Sequence, residues 1–200
     1  RWEMWRERCA SWKERFPAVL PECREQKDFV NSYVFADALS DALDERDVIV
    51  TDMGFAFQTQ HQAFRNKAGQ RFFTNCGMAP MGWGLPAAIG AHVGSKRRTI
   101  AIVGDGGLMM NVQELATIAH YRMNVKIFIL NNAGYATMRQ TQEFGFGGRI
   151  MGADANTGIS FPDFRWLAVA HGLPSVLIKS HRGLEKQLPD FLAIKGPAIC

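Results

Sequence analysis

Cysteine is scarce in this 200-residue chain: Cys9, Cys23, Cys76 and Cys200 are the four present, and they show no metal-ligand or redox spacing. That density is too low for a disulfide-stapled scaffold, so free thiols in a reducing cytoplasm are expected. No apolar stretch reaches the length of a transmembrane helix and the opening residues show no signal-peptide pattern, so no membrane partner is expected. A dominant charge sign is missing too: 23 Lys+Arg stand against 19 Asp+Glu, and the net +4 is spread along the chain. No lysine/arginine block of the nucleic-acid type occurs, and Lys96-Arg97-Arg98 reads as a solvated surface turn. The 5 histidines are scattered without metal-binding spacing, which makes His171 and His181 surface or capping residues. A GxGxxG turn after a strand is also lacking, which disfavours a dinucleotide-dependent dehydrogenase.

What is present is a 47% hydrophobic composition, enough for one ordinary domain with a sizeable core. The informative stretch runs from Gly104 to Gly134. Thr99–Val103 and Val125–Leu130 are short, rich in β-branched residues and almost continuously apolar, as in strands buried on both faces of a parallel sheet. Between them Val112–Ala119 has helical spacing, with Asn111 placed to cap it. The expected fold is therefore α/β: an open parallel sheet with helices on both faces. Asp105 and Asn132 then fall at the carboxyl ends of two parallel strands, where such sheets bind ligands. One anionic and one neutral oxygen donor suit a hard cation, and Gly104, Gly106 and Gly107 let backbone N–H groups approach a phosphate. Taken alone, Asp105 could equally cap its helix and Asn131-Asn132 form a plain turn.

The combination of motifs narrows this. Gly104-Asp105-Gly106, a spacer over 107–130, and Asn131-Asn132 resemble the cofactor signature of thiamin-diphosphate-dependent enzymes, most closely the acetolactate synthase-like family. Met81–Ala91 (MGWGLPAAIGA) is similar to that family's MGxGLPAAIGA segment, and Asn111–Thr117 and Gly196-Pro197 also fit. The resemblance spans roughly residues 30–200 and implies a thiamin-diphosphate-binding fold, specifically the diphosphate-binding domain. It implies Mg²⁺ held by Asp105, Asn132 and the backbone carbonyl of Gly134. It places Gly54, Gly104, Gly106 and Gly107 around the diphosphate, Met81 beneath the bent thiamin, and Met138 beside its pyrimidine ring. The family's activating glutamate lies on a separate pyrimidine-binding domain, usually of a partner subunit, and Glu114 does not match it. Catalytic residues proper are therefore not assigned within this chain, which alone is expected to be inactive. Two departures stand out: Phe55-Ala56 replace a Gln-His pair that several relatives carry after the glycine, and Thr141 stands where many carry a tryptophan favouring a larger acceptor.

In chain order, residues 1–28 read as an aromatic, charged helix with Trp2, Trp5, Trp12 and Phe16 on one face, followed by a linker over 17–28 broken by Pro17 and Pro21. They are expected to follow a preceding domain, which in the family sometimes holds FAD. Residues 29–200 are expected to be the diphosphate-binding domain, with the chain continuing past Cys200. A helix is expected over 31–43, a strand over 48–51, Gln58, Gln60 and His61 along a helix, a short strand over 71–74, and a helix opening within 81–91. Residues 134–142 read as a helix, with Tyr135, Met138 and Gln142 turned to the site or core, and with Gln140 and Gln142 equally readable as polar contacts or as plain exposed helix residues. Residues 143–160 read as a mobile loop that closes over the site and carries Arg149. Then come a helix from 164, a strand over 175–178, a helix over 182–193 and a last strand at Ala198-Ile199. The implied reaction is decarboxylation of a 2-keto acid, such as pyruvate, with transfer of the acyl unit to an acceptor carbonyl. The expected assembly is a cytoplasmic homo-oligomer sharing its active site between subunits, with no nucleic-acid partner. A simple decarboxylase or acyl-CoA lyase on the same scaffold, or a non-catalytic binding subunit, are the alternatives.

Overall fold

Five short runs of mainly apolar residues pair into one sheet: β1 (Val48–Thr51), β2 (Arg71–Phe73), β3 (Thr99–Gly104), β4 (Val125–Leu130) and β5 (Ala198–Ile199). Their order across the sheet is β2-β1-β3-β4-β5, and every neighbouring pair is parallel. The computed structural model describes residues 2–200. Among the described residues ten α-helices accompany the sheet: α1 (Trp2–Arg15), α2 (Pro21–Glu25), α3 (Ser32–Ala42), α4 (Phe55–Ala63), α5 (Gly84–Ser95), α6 (Asp105–Met110), α7 (Glu114–His120), α8 (Ala136–Gly145), α9 (Phe164–Ala170) and α10 (Leu184–Leu192).

Side-chain alternation along the strands divides the core into two layers. Ile49, Ile100, Ile102 and Phe128 pack with Phe35 and Leu39 of α3 and with Leu188 and Phe191 of α10. On the opposite face Val50, Ala101, Val103 and Ile127 pack with Leu85 of α5, Leu115 and Ile118 of α7, and Ala168 of α9. The sheet is thus covered on both sides, which is why its strands read as unbroken apolar runs. Lys126 is the exception within β4. Its side chain is fully buried, and Nζ donates to the carbonyls of Ile194 and Gly196, just past α10. Burial, and then the charge of Arg98, lower its pKa from 10.5 to about 8.

Several sequence expectations need correction. The helix after β3 starts at Asp105 itself, so Asn111 is the C-cap of α6 rather than the N-cap of the next helix, and its Nδ2 donates to Gly82 O at 2.7 Å. Residues 17–28 contain the short helix α2. Residues 175–178 make a single bridge, Ser175 to Ile199, and no strand. Arg98 is not a solvated turn residue: its guanidinium forks onto both carboxylate oxygens of the buried Asp47, at 2.6 Å each. Helix α1 forms as expected; all its described side chains are at least partly exposed, with Trp5 and Trp12 edge-to-face at 5.8 Å.

The segment expected to be mobile divides in two. Residues 143–149 are exposed, with α8 running into them. Residues 151–158 are docked: Gln142 binds Met151 through both its N–H (2.8 Å) and its carbonyl (3.1 Å), and Ala153 is fully buried. Asp154 closes a capping box with Thr157.

Candidate cofactor site

Two aspartates end adjacent strands, and each is buried because it satisfies the N–H groups of a turn arriving from elsewhere. Asp105, directly after β3, accepts from Asn132 N (2.8 Å) and Gly134 N (3.0 Å) on Oδ2, and from Gly106 N (2.7 Å) on Oδ1. One carboxylate therefore sets the shape of the turn after β4, in which Ala133 and Gly134 take φ of 52° and 146°. Burial raises the pKa of Asp105, opposed by these hydrogen bonds and by the charge of Arg139. A carboxylate offers about four lone-pair directions, and three are spent here, which leaves one on Oδ1 for a cation.

Asp52, directly after β1, accepts from Gly82 N (3.1 Å) and Gly84 N (3.2 Å). Together with Asn111, which binds Gly82 O from the other side, it fixes the turn that carries Met81. Burial raises its pKa as well, against the hydrogen bonds from that turn. Sequence reading missed this role, because the partners lie about thirty residues apart and no local pattern joins them.

The glycines are required for different reasons. A Cβ on Gly106 would lie 2.0 Å from Tyr135 Cε1, and one on Gly107 would lie 1.9 Å from Asp52 Oδ2. Packing within the protein demands both. Gly104 has ordinary backbone angles (φ −77°, ψ 160°), and a Cβ there would meet no protein atom within 4 Å. Nothing in the chain itself explains a glycine at that position, and it borders open cleft.

That cleft, about 230 Å³, opens at the carboxyl edge of the sheet. Gly54, Met81, Gly104, Asp105, Gly106, Gly107, Asn132 and Gly134 all line it, so the structure gathers eight expected residues from four separate segments. Tyr135, expected to face the site or the core, lines it too, as do Asp52, Phe55, Gln58 and Thr137, which were not singled out for the site. Met138, next to Thr137 in the first turn of α8, is 39% exposed and does not line it. Gln60 is buried beneath α4, and His61 stacks between Phe57 and Phe72. Arg149 and Gln140 are exposed, and Glu114 opens α7 outside the cleft.

The donor set fits a hard divalent cation with a diphosphate. It offers the remaining direction on Asp105, the amide oxygen of Asn132, whose Nδ2 is engaged with Leu130 O at 3.3 Å, and the Gly134 carbonyl. Among the described residues no group of three or more His, Cys, Asp or Glu could hold a metal, so a cation here would rely, beside Asp105, on neutral oxygens and on ligand oxygens.

In class, this is an α/β domain whose ligand cleft sits where the ends of parallel strands meet glycine-rich turns. Residues 52–200 match the family described as thiamine pyrophosphate enzyme, C-terminal TPP binding domain. The chain belongs to that family. It is 31% identical to the acetolactate synthase large subunit of Porphyra purpurea, over 98% of this chain and 32% of that protein. It is 34% identical to the acetolactate synthase large subunit of Parasynechococcus marenigrum (strain WH8102), over 98% and 31%. It is 29% identical to the acetolactate synthase isozyme 1 large subunit of Escherichia coli (strain K12), over 98% and 34%. The chain spans about a third of the length of these curated relatives.

Proposed function

We propose that this chain is the diphosphate-binding part of a thiamin-diphosphate- and Mg²⁺-dependent enzyme acting on a 2-keto acid, pyruvate being the simplest, and delivering the acyl unit to an acceptor carbonyl. The observation that carries the reading is Asp105: one buried carboxylate bonded to both Asn132 and Gly134, beside a Gly104 that no protein contact requires. When bound, thiamin diphosphate supplies the electron sink that lets a 2-keto acid lose CO₂.

The residues of this chain bind and orient. Asp105, Asn132 and the Gly134 carbonyl would hold Mg²⁺, and Gly104 with the glycines of the first turn of α6 would receive the diphosphate. Met81, on a turn clamped by Asp52 and Asn111, would support the thiamin from below. Phe55 and Tyr135 line the same cleft and would limit water access to a ligand bound there. A proton-transferring glutamate would come from a pyrimidine-binding domain of a partner subunit. This makes the working unit a homo-oligomer, and residues 1–28 would connect to a preceding domain, in some relatives an FAD-binding one. Its partners would be small carbonyl compounds in the cytoplasm, neither nucleic acid nor lipid; no helix among the described residues is long and apolar enough to cross a membrane.

Thr141, standing where the family resemblance leads one to expect a tryptophan, argues against a larger acceptor keto acid, and a plain decarboxylase or acyl-CoA lyase is the second reading. Product analysis on the full-length enzyme separates the two. Pyruvate alone and pyruvate with added keto-acid or aldehyde acceptors should give ligated products under the first reading. Acetaldehyde as the sole product under both conditions would establish a plain decarboxylase, and turnover of an acyl-CoA substrate alone would establish the lyase. Absence of turnover on 2-keto acids and acyl-CoA substrates alike, with cofactor bound, would point to a non-catalytic binding subunit.

A further inference from the structure

Asp105 holds N–H groups of the Asn132–Gly134 turn from within; carbonyls of the same turn are held by Arg139. Extending from the first turn of α8, its guanidinium donates to the carbonyl of Asn132 (3.0 Å) and to that of Ala133 (3.5 Å). The turn needs such a clamp. Ala133, a non-glycine residue, takes the left-handed conformation at φ 52°, and a Cβ on Gly134 would lie 2.1 Å from Ala153 O. The N–H groups bound by one side chain and the carbonyls by another leave the peptides little freedom to rotate.

Arg139 is itself held. Asp154 Oδ2 lies 3.8 Å from it, while Asp154 Oδ1 caps residues 155–157 through Asn156 N and Thr157 N at 3.1 Å each. Tyr135 N donates to Ala153 O at 2.8 Å, and Gly134 bridges Asp154. The turn bearing two of the proposed cation ligands and the docked segment 151–158 are therefore one hydrogen-bonded unit, joined at Arg139.

We propose that Arg139 is a positioning residue for the cation site, holding Asn132 and Gly134 in register with Asp105, and that Asp154 orients Arg139 for the task. The inference rests on the reading of that turn as a cation site. It implies reciprocity: cation binding orders segment 151–158, and loosening that segment weakens cation binding by the same factor.

The test uses the full-length enzyme and measures Mg²⁺ affinity by calorimetric titration at fixed thiamin diphosphate. Amide hydrogen exchange over 132–135 and 151–157, without and with Mg²⁺, is the second readout. Loss of an outer partner of a metal ligand typically weakens metal binding about 10–100-fold, and Arg139→Gln should fall in that range. Arg139→Lys keeps the charge but not the two-pronged grip, and should recover part of the loss. Asp154→Asn should give a smaller loss and faster exchange at 133–135 in the metal-free enzyme, and it serves if Arg139→Gln does not fold. Unchanged Mg²⁺ affinity in folded Arg139→Gln, with Asp105→Asn still abolishing binding, would overturn the positioning role alone. Unchanged affinity in both would overturn the cation site on which it rests.

Discussion

Replacing Gly104 by alanine should separate the cofactor from the fold. At φ −77° and ψ 160° the backbone suits alanine, and the new methyl meets no protein atom within 4 Å. The metal-free, cofactor-free protein should therefore gain about 0.4–1 kcal/mol, because alanine restricts the unfolded chain more than glycine does. The methyl enters the cleft lined by Gly104, where a diphosphate would lie. Forcing one carbon into a filled site costs about 1–3 kcal/mol, and each 1.4 kcal/mol is tenfold in affinity. Urea unfolding without ligand and calorimetric titration with thiamin diphosphate and Mg²⁺ measure the two effects on one preparation. Gly106→Ala is the contrast, since its methyl would lie 2.0 Å from the Tyr135 ring, which packs edge-on against Phe161 at 5.8 Å. That variant should lose about 1–3 kcal/mol of stability from overpacking whether or not cofactor is present. A Gly104→Ala protein with lowered stability and unchanged cofactor affinity would refute the reasoning.

Asp52→Ala should cost about 2–6 kcal/mol in urea unfolding, since it strands the buried N–H groups of Gly82 and Gly84 at about 1–3 kcal/mol each. It should also lower cofactor affinity by freeing the Met81 turn. Lys126 predicts an alkaline rise in stability. Its pKa of about 8 lies below the ordinary 10.5, so between these values the unfolded chain binds more protons and stability increases with pH. Burial pushes Cys200 the other way, up to about 12, so above pH 9 it opposes the rise. Urea midpoints should therefore climb from pH 8 to 9 and then flatten, Lys126→Met should abolish the climb, and Cys200→Ser should extend it.

The sheet and half of the site were legible because each had a local cause. Val48–Thr51, Thr99–Gly104 and Val125–Leu130 are β-branched runs buried on both faces, and their ends carry the Asp105 and Asn132 side chains. What escaped depended on distant partners. A helix starting at Asp105 has two glycines in its first turn, against helix propensity, and packing of Tyr135 and Asp52 on those glycines decides the matter. Ser175–Ile178 has strand-like residues, yet Ile199, in the two-residue β5, offers only one bridging position. Lys126 sits in an apolar run because carbonyls past α10 receive its ammonium, about seventy residues on. Asp52 and Arg139 act through backbone groups of other segments, and no spacing announces that.

The central claim is that Asp105 organises a cation–diphosphate site, and one titration tests it most directly. Thiamin diphosphate is titrated into the full-length protein with and without Mg²⁺, for wild type and Asp105→Asn. The account predicts tight binding by wild type only when Mg²⁺ is present, and a loss in the variant of at least tenfold, about 1.4 kcal/mol. Equal affinity with and without the metal, or an Asp105→Asn protein that binds like wild type, would contradict it.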